Sequence, residues 1–187
     1  MERVRVSLNV VLPMPVVLVG TNLHGRANFM PAGWCCRVNM VPPMLCCGIH
    51  RAHATTAGIR ENGSFSVNIP SSSQMTATDY CGLVSGATTD KSKVFGVVYG
   101  ELGNAPMIAD CPATMECRVV EIVSLPSHDL VIGEIVSAYA DPSVVRNRAI
   151  DMAAVDPLLL TMPDNTYWGL GEERGKAWSV GRSLMEE

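Results

Sequence analysis

Apolar and polar positions alternate along most of the chain in short runs that read as strands, with a few helical stretches set between them. Residues 16–19 are an apolar run of strand length, and residues 20–26, carrying Asn, His and Gly, read as the hairpin turn after it. Residues 32–41 form a second strand candidate, closed by Pro42-Pro43. Residues 44–49 form a third, almost wholly apolar and therefore expected inside. Residues 52–61 read as a helix with a good stop at Asn62-Gly63. In residues 64–69 the alternation puts Phe65, Val67 and Ile69 on one face of a strand. Residues 71–83 read as helix and 86–93 as a polar loop or short helical turn. Two β-rich runs follow, 113–123 and 130–140, with Pro126, Ser127, His128 and Asp129 as the hairpin loop between them. Residues 148–154 suit a short helix, and the tail from 157 to 180 holds Tyr167, Trp168 and Trp178. Many short strands with helices inserted point to an antiparallel barrel with helical additions. No repeat, linker or low-complexity tract divides the 187 residues, so one domain is expected.

Composition narrows this picture. Hydrophobic residues make up 48% of the chain and charged ones 17%, a balance that favours a packed core over disorder. The net charge is −4, without a basic tail or a dense Lys/Arg run, which argues against a nucleic-acid surface. The first twenty residues loosely imitate a signal peptide, but Asn9, Pro13 and Pro15 interrupt the apolar run. Val4 and Val6 alternate with arginine and serine there, which suggests strand. No later run is long and apolar enough to span a membrane. Four of the seven cysteines form the adjacent pairs Cys35-Cys36 and Cys46-Cys47, and no CxxC occurs. Neighbours on a strand face opposite sides, so such pairs suit neither a shared metal nor a disulfide framework. Buried, reduced thiols in a cytoplasmic protein are the expectation.

The densest chemistry lies in residues 47–63, CGIHRAHATTAGIRENG. A buried strand ends near Ile49 and a helix begins near Ala52. The first N–H groups of a helix lack internal partners, and its dipole puts partial positive charge there. Arg51, Thr55 and Thr56 add a forked cation and two hydroxyls, a donor set suited to a phosphate. The alternatives are an ordinary surface helix start, or a metal site using Cys46, Cys47, His50 and His53, whose spacing matches no standard zinc pattern. Near Gly33, small residues beside Trp34 would let a flat ring approach the backbone, or they mark a core tryptophan beside a bulge. Residues 85–93, SGATTDKSK, offer backbone donors and two lysines, or are simply a solvated loop. GxGxxG, a P-loop, GxSxG and an evident carboxylate pair are all missing from the sequence.

Taken in order, NFMPAGW (28–34), the Pro42-Pro43 pair, HRAHATTAGIRENGSFSVNI (50–69), CGLVSGATTDK (81–91) and YWGLGE (167–172) resemble the flavin reductase-like family with an FMN-binding split barrel, especially its flavoredoxin branch. The resemblance implies a six-stranded antiparallel Greek-key barrel, a homodimer and one non-covalent FMN per subunit. It implies that Ala32, Gly33, Trp34 and Cys35 lie along the isoalloxazine and ribityl chain. Gly48, Ile49, His50 and Arg51 would follow the ribityl and phosphate. Thr55 and Thr56 would hold the phosphate with His53 as a neighbour, and a loop carrying Thr89 and Lys91 would close over it. Relatives often carry Asn at the position of His50, many flavin reductases have Ser-Ser at Gly33-Trp34, and Cys35-Cys36 replaces the more usual Phe, Val or Thr. These departures bear on the reductant and acceptor rather than on flavin binding. The implied activity is an FMN-dependent oxidoreductase drawing electrons from NADH, NADPH or another donor, with a small-molecule or protein redox partner. A non-catalytic FMN electron carrier is the alternative, and a thiol- or metal-centred protein a third class. No catalytic acid, base or metal ligand is implied.

Overall fold

The computed structural model describes residues 3–8 and 12–185. Seven strands build its main sheet: β1 (Val17–Leu23), β2 (Arg26–Ala32), β3 (Cys35–Asn39), β4 (Met44–His50), β5 (Ser64–Ile69), β6 (Ala113–Ser124) and β7 (His128–Ala140). Helix α1 (Ala54–Asn62) links β4 to β5, and α2 (Met75–Leu83) follows β5. The spatial order is β2-β1-β5-β6-β7-β4-β3, and every pairing is antiparallel. The curled sheet brings β2 against β4, so its two ends meet as a split barrel. The resemblance implies six strands. The seventh arises because the long β3–β4 hairpin carries its own ladder at the edge of the sheet.

The inner face is apolar. Val19, Leu45, Cys47, Ile49, Phe65, Val67 and Val131 form one core cluster, joined by Ile59 from α1. A second cluster, with Leu18, Phe29, Cys81 and Ile108, lies under α2. Burying each of the larger side chains contributes about 1.5–3 kcal/mol, which is what holds the sheet closed. Phe65 and Val67 stand inward as the alternation of β5 requires, and Ile69 packs against the same cluster. Gly63 ends α1 in the left-handed conformation, its N–H bonded to the Ile59 carbonyl.

Several boundaries differ from the sequence reading. The expected turn over 20–26 is mostly strand. Only His24 and Gly25 turn, both with positive φ (52° and 76°). Gly20 is instead a close-approach residue, since a Cβ there would strike Ser66 and the Pro106 carbonyl. The strand expected over 32–41 is split at Gly33-Trp34 between β2 and β3. Pro31 disguised β2, and is tolerated because β2 lies at the end of the sheet order. The helix expected over 148–154 is a two-residue ladder at Ala149–Ile150 and then a single turn, Met152–Val155. Asp151 sets that start by accepting from the Ala153 and Ala154 amides. Residues 3–7 form no strand: Val4 and Val6 are 82% and 65% exposed and have no ladder partner. Asn9, one of the interruptions that argued against a signal peptide, lies outside the described residues. No helix among the described residues is long and apolar enough to cross a membrane.

The tail completes the neighbourhood of the site. Leu159–Thr161 pairs with Met14–Pro15 and with Thr166–Trp168 in a small separate sheet. Tyr167 donates its hydroxyl to Asp79 at 3.0 Å, tying this sheet to α2. Burial, with help from Asp79, pushes the Tyr167 phenol up to about 12.

Candidate functional site

The chain leaves β4 at His50 and turns sharply into α1. The His53 amide bonds the His50 carbonyl at 3.0 Å, and the Ala52 amide donates to His50 Nδ1 at 3.2 Å. This turn delays the helix to Ala54 from the expected Ala52. No side chain caps the helix, and its first turn holds no acidic residue. The N-terminus of α1 therefore keeps its partial positive charge. It faces a cavity of ≈ 300 Å³ whose walls include His53, Ala54, Thr55, Ser85, Gly86 and Lys91.

Thr55 and Lys91 are both buried at this cavity. Asn28 Nδ2 donates to Thr55 Oγ1 at 3.0 Å, so the Thr55 hydroxyl keeps its own proton for another acceptor. Asn28 Oδ1 is buried without a hydrogen-bond partner. Lys91 Nζ donates to the carbonyls of Phe29 (3.1 Å) and Cys81 (2.6 Å), which leaves one of its three protons. Burial holds the Lys91 pKa below the usual lysine value. His53 is lowered as well, first by burial and then by the positive charges of His50, Lys91 and His128. The donor set is rich in protons and charge and has no carboxylate on its walls. An anion is the ligand it fits.

A second cavity, of ≈ 320 Å³, shares Met30, Pro31 and His53 with the first and continues past Ala32, Gly33, Trp34, Gly48, Ile49 and His50. A third, of ≈ 670 Å³ and mainly apolar, shares Gly33, Trp34, Gly48 and His128 with the second. Trp34 stands between them, 46% exposed, with its ring centroid 4.6 Å from that of His128. His128 in turn meets His50 edge to face at 5.1 Å. Gly48 lets the indole pack close to the strand: a Cβ would lie 3.2 Å from Trp34 Cε3, tighter than ordinary contact. The three cavities make a track from a polar, cationic end to an apolar, aromatic one.

The cysteines meet across β3 and β4. Cys35 faces Cys47 and Cys36 faces Cys46 in the ladder. Cys47 donates to Cys35 Sγ at 3.1 Å, and this bond lowers the Cys35 pKa against the opposing effect of burial. Cys47 is raised, by that same bond and then by burial. Among the described residues no three His, Cys, Asp or Glu side chains converge as a metal would need. The alternation of β4 puts Cys46 and Cys47 on opposite faces, which divides the candidate ligands.

Residues 10–162 match the family model described as a flavin reductase like domain. The chain belongs to the flavin reductase-like family. Its structure superimposes on the crystal structure of flavoredoxin from Methanosarcina acetivorans with a TM-score of 0.97, at 50% identity over 99% of this chain and 100% of that one. An uncharacterized Escherichia coli protein, YddH, is 35% identical over 123 residues, and the match spans 64% of this chain and 65% of YddH. The FMN reductase (NADH) RutF of Enterobacter cloacae is 27% identical over 121 residues, 64% of this chain and 71% of that protein.

Within this flavin reductase-like chain, the expected residues divide into three groups. His53, Thr55 and Lys91 come together at the polar end, and Ala32, Gly33, Trp34, Gly48, Ile49 and His50 line the middle. Cys35 reaches the apolar end. Arg51, Thr56 and Thr89 are not among the walls of the polar cavity. Arg51 Nε lies 3.7 Å from the buried Asp129, which Arg60 also holds at 2.7 Å. Thr56 donates its hydroxyl back to the His50 carbonyl at 3.2 Å, bracing the turn. The Thr89 amide bonds the Ser85 carbonyl at 2.8 Å, shaping the loop that carries Lys91. Sequence reasoning missed two participants, Asn28 behind Thr55 and His128 beside Trp34, whereas the loop 85–93 that it singled out supplies the Ser85-Gly86 wall. The polar PSHD segment was a visible signal for His128, although His128 and Asp129 begin β7 rather than forming the expected hairpin loop; Asn28 depends on long-range packing.

Proposed function

We propose that the chain binds one FMN non-covalently per subunit and works as an FMN-dependent oxidoreductase of the flavin reductase type, taking electrons from NADH, NADPH or another donor. One observation carries this reading. The uncapped N-terminus of α1, with Thr55 and Lys91, opens into a track that ends at Trp34 in an apolar cavity. A phosphate suits the first end and a flat aromatic ring the second. The relatives named flavoredoxin and FMN reductase (NADH) support the same assignment.

Bound FMN would supply the two-electron chemistry. The protein's part is position and exclusion of water. Thr55 and the free N–H groups of α1 would hold the phosphate, with Lys91 as a fixed charge. Arg51 would add positive charge at the rim from its place beside Asp129. His50 and Gly48 would border the polar tail, and Ala32, Gly33 and Trp34 would frame the ring. Hydride transfer depends on such positioning more than on a dedicated acid or base. The reading includes a homodimer, as the family resemblance implies.

The test is the visible spectrum of the purified protein, followed by anaerobic addition of NADH and NADPH. Flavin bands and nucleotide oxidation support the enzyme. Flavin bands with reduction by a redox protein alone assign a carrier instead. A colourless protein that takes up no FMN defeats both.

A further inference from the structure

We propose that Cys36 and Cys46 form a reversible dithiol–disulfide couple that exchanges two electrons with the flavin. The proposal rests on the FMN reading above and extends it to a second redox centre. The first observation is register. Cys36 and Cys46 are direct partners on adjacent antiparallel strands, with their sulfurs 3.6 Å apart. Facing residues on such strands have Cα atoms about 4.5–5.5 Å apart, inside the range of about 4.4–6.8 Å that a disulfide needs. Closing the bond therefore asks for rotation of side chains and little movement of backbone. The second observation is place. Trp34, Cys36 and Cys46 all line the ≈ 670 Å³ apolar cavity at the end of the track. The third is access. Cys36 is exposed, whereas the neighbouring Cys35–Cys47 pair has one sulfur fully buried in the barrel core. Of the hairpin's two facing pairs, only Cys36–Cys46 includes an exposed thiol and has both members on the cavity wall.

The chemistry balances with flavin as partner. Two S–H bonds break and one S–S bond forms. The two electrons and two protons released convert one oxidised flavin to its two-electron reduced form. In the opposite direction reduced flavin supplies them and the disulfide opens to two thiols. Burial, followed by the neighbouring Cys36, pushes the Cys46 thiol up to about 11, so Cys46 stays protonated at neutral pH and the exposed Cys36 is the point of attack.

Two measurements on the FMN-loaded protein test the couple. In the first, the protein is oxidised with diamide, digested with trypsin and mapped by tandem mass spectrometry. A Cys36–Cys46 link is expected, kept in Cys35→Ala and lost in Cys36→Ser. In the second, the diamide-treated protein is reduced stepwise without oxygen while flavin absorbance is followed. The wild type is expected to take up four electrons per subunit before the flavin is fully bleached, and Cys36→Ser two, a twofold difference. Absence of the 36–46 link, or equal uptake by both proteins, overturns the proposal. An FMN binding isotherm on the same samples separates the two levels of inference. Normal FMN binding with either negative result removes the couple alone, and no FMN binding removes the underlying reading as well.

Discussion

Asn28 donates to the hydroxyl of Thr55 at 3.0 Å, with both side chains buried. The bond joins the second strand to the first turn of α1. It orients the Thr55 hydroxyl as a donor toward the polar cavity. Thr55→Val removes that donor while keeping the shape. A hydrogen bond to a charged group contributes about 1.5–3 kcal/mol, so FMN affinity should fall roughly 10- to 100-fold by titration calorimetry. Asn28→Ala should weaken FMN less, by releasing Thr55 rather than deleting it.

Lys91 is both a structural and a binding residue. Lys91→Met deletes two donors to the Phe29 and Cys81 carbonyls. Each carbonyl left buried without a partner costs about 1–3 kcal/mol. The variant should melt at lower temperature and bind FMN at least tenfold more weakly. Riboflavin, which lacks the phosphate, should bind wild type and variant alike.

Gly48 and Trp34 are in tight contact. In Gly48→Ala the new methyl would lie 3.2 Å from the indole, which must swing outward. Trp34 is 46% exposed and has room to do so. Expected are a shifted tryptophan emission and weaker quenching of flavin fluorescence, with little change in melting temperature. An unchanged spectrum of the bound flavin would separate Trp34 from the ring.

His53 gives a pH signature. Burial and its cationic neighbours hold it below its ordinary value of 6.5. The folded apoprotein therefore binds fewer protons at His53 than the unfolded chain. Its stabilising contribution is full above pH 6.5 and is lost as the pH falls through the folded value. A phosphate beside the ring would favour the charged form, so FMN should raise the His53 pKa. NMR titration of the imidazole with and without FMN measures the shift, and a fall would place the phosphate elsewhere.

Much of this was legible in residue order. The alternation in residues 64–69 located β5, the apolar run 44–49 located β4, and Asn62-Gly63 marked the end of α1, because each feature acts within a few residues. The polar cluster after Ile49 pointed to an anion site, and Thr55 and His53 are at that cavity. What stayed hidden depends on distant partners. Nothing local turns Arg51 toward Asp129, since the pairing needs the start of β7 beside the end of β4. The paired cysteines looked unrelated because neighbours on one strand face apart; only the β3–β4 register brings Cys36 to Cys46. The small sheet formed by Met14–Pro15 and the tail was equally invisible, being two- and three-residue ladders fixed by packing.

The central claim is that the N-terminus of α1, with Thr55 and Lys91, holds a phosphate. Titration calorimetry of the apoprotein with FMN and with riboflavin under identical salt tests it most directly. FMN should bind at least about 100-fold more tightly than riboflavin, and Thr55→Val and Lys91→Met should each erode that gap. Equal affinity for the two flavins in the wild-type protein would contradict it.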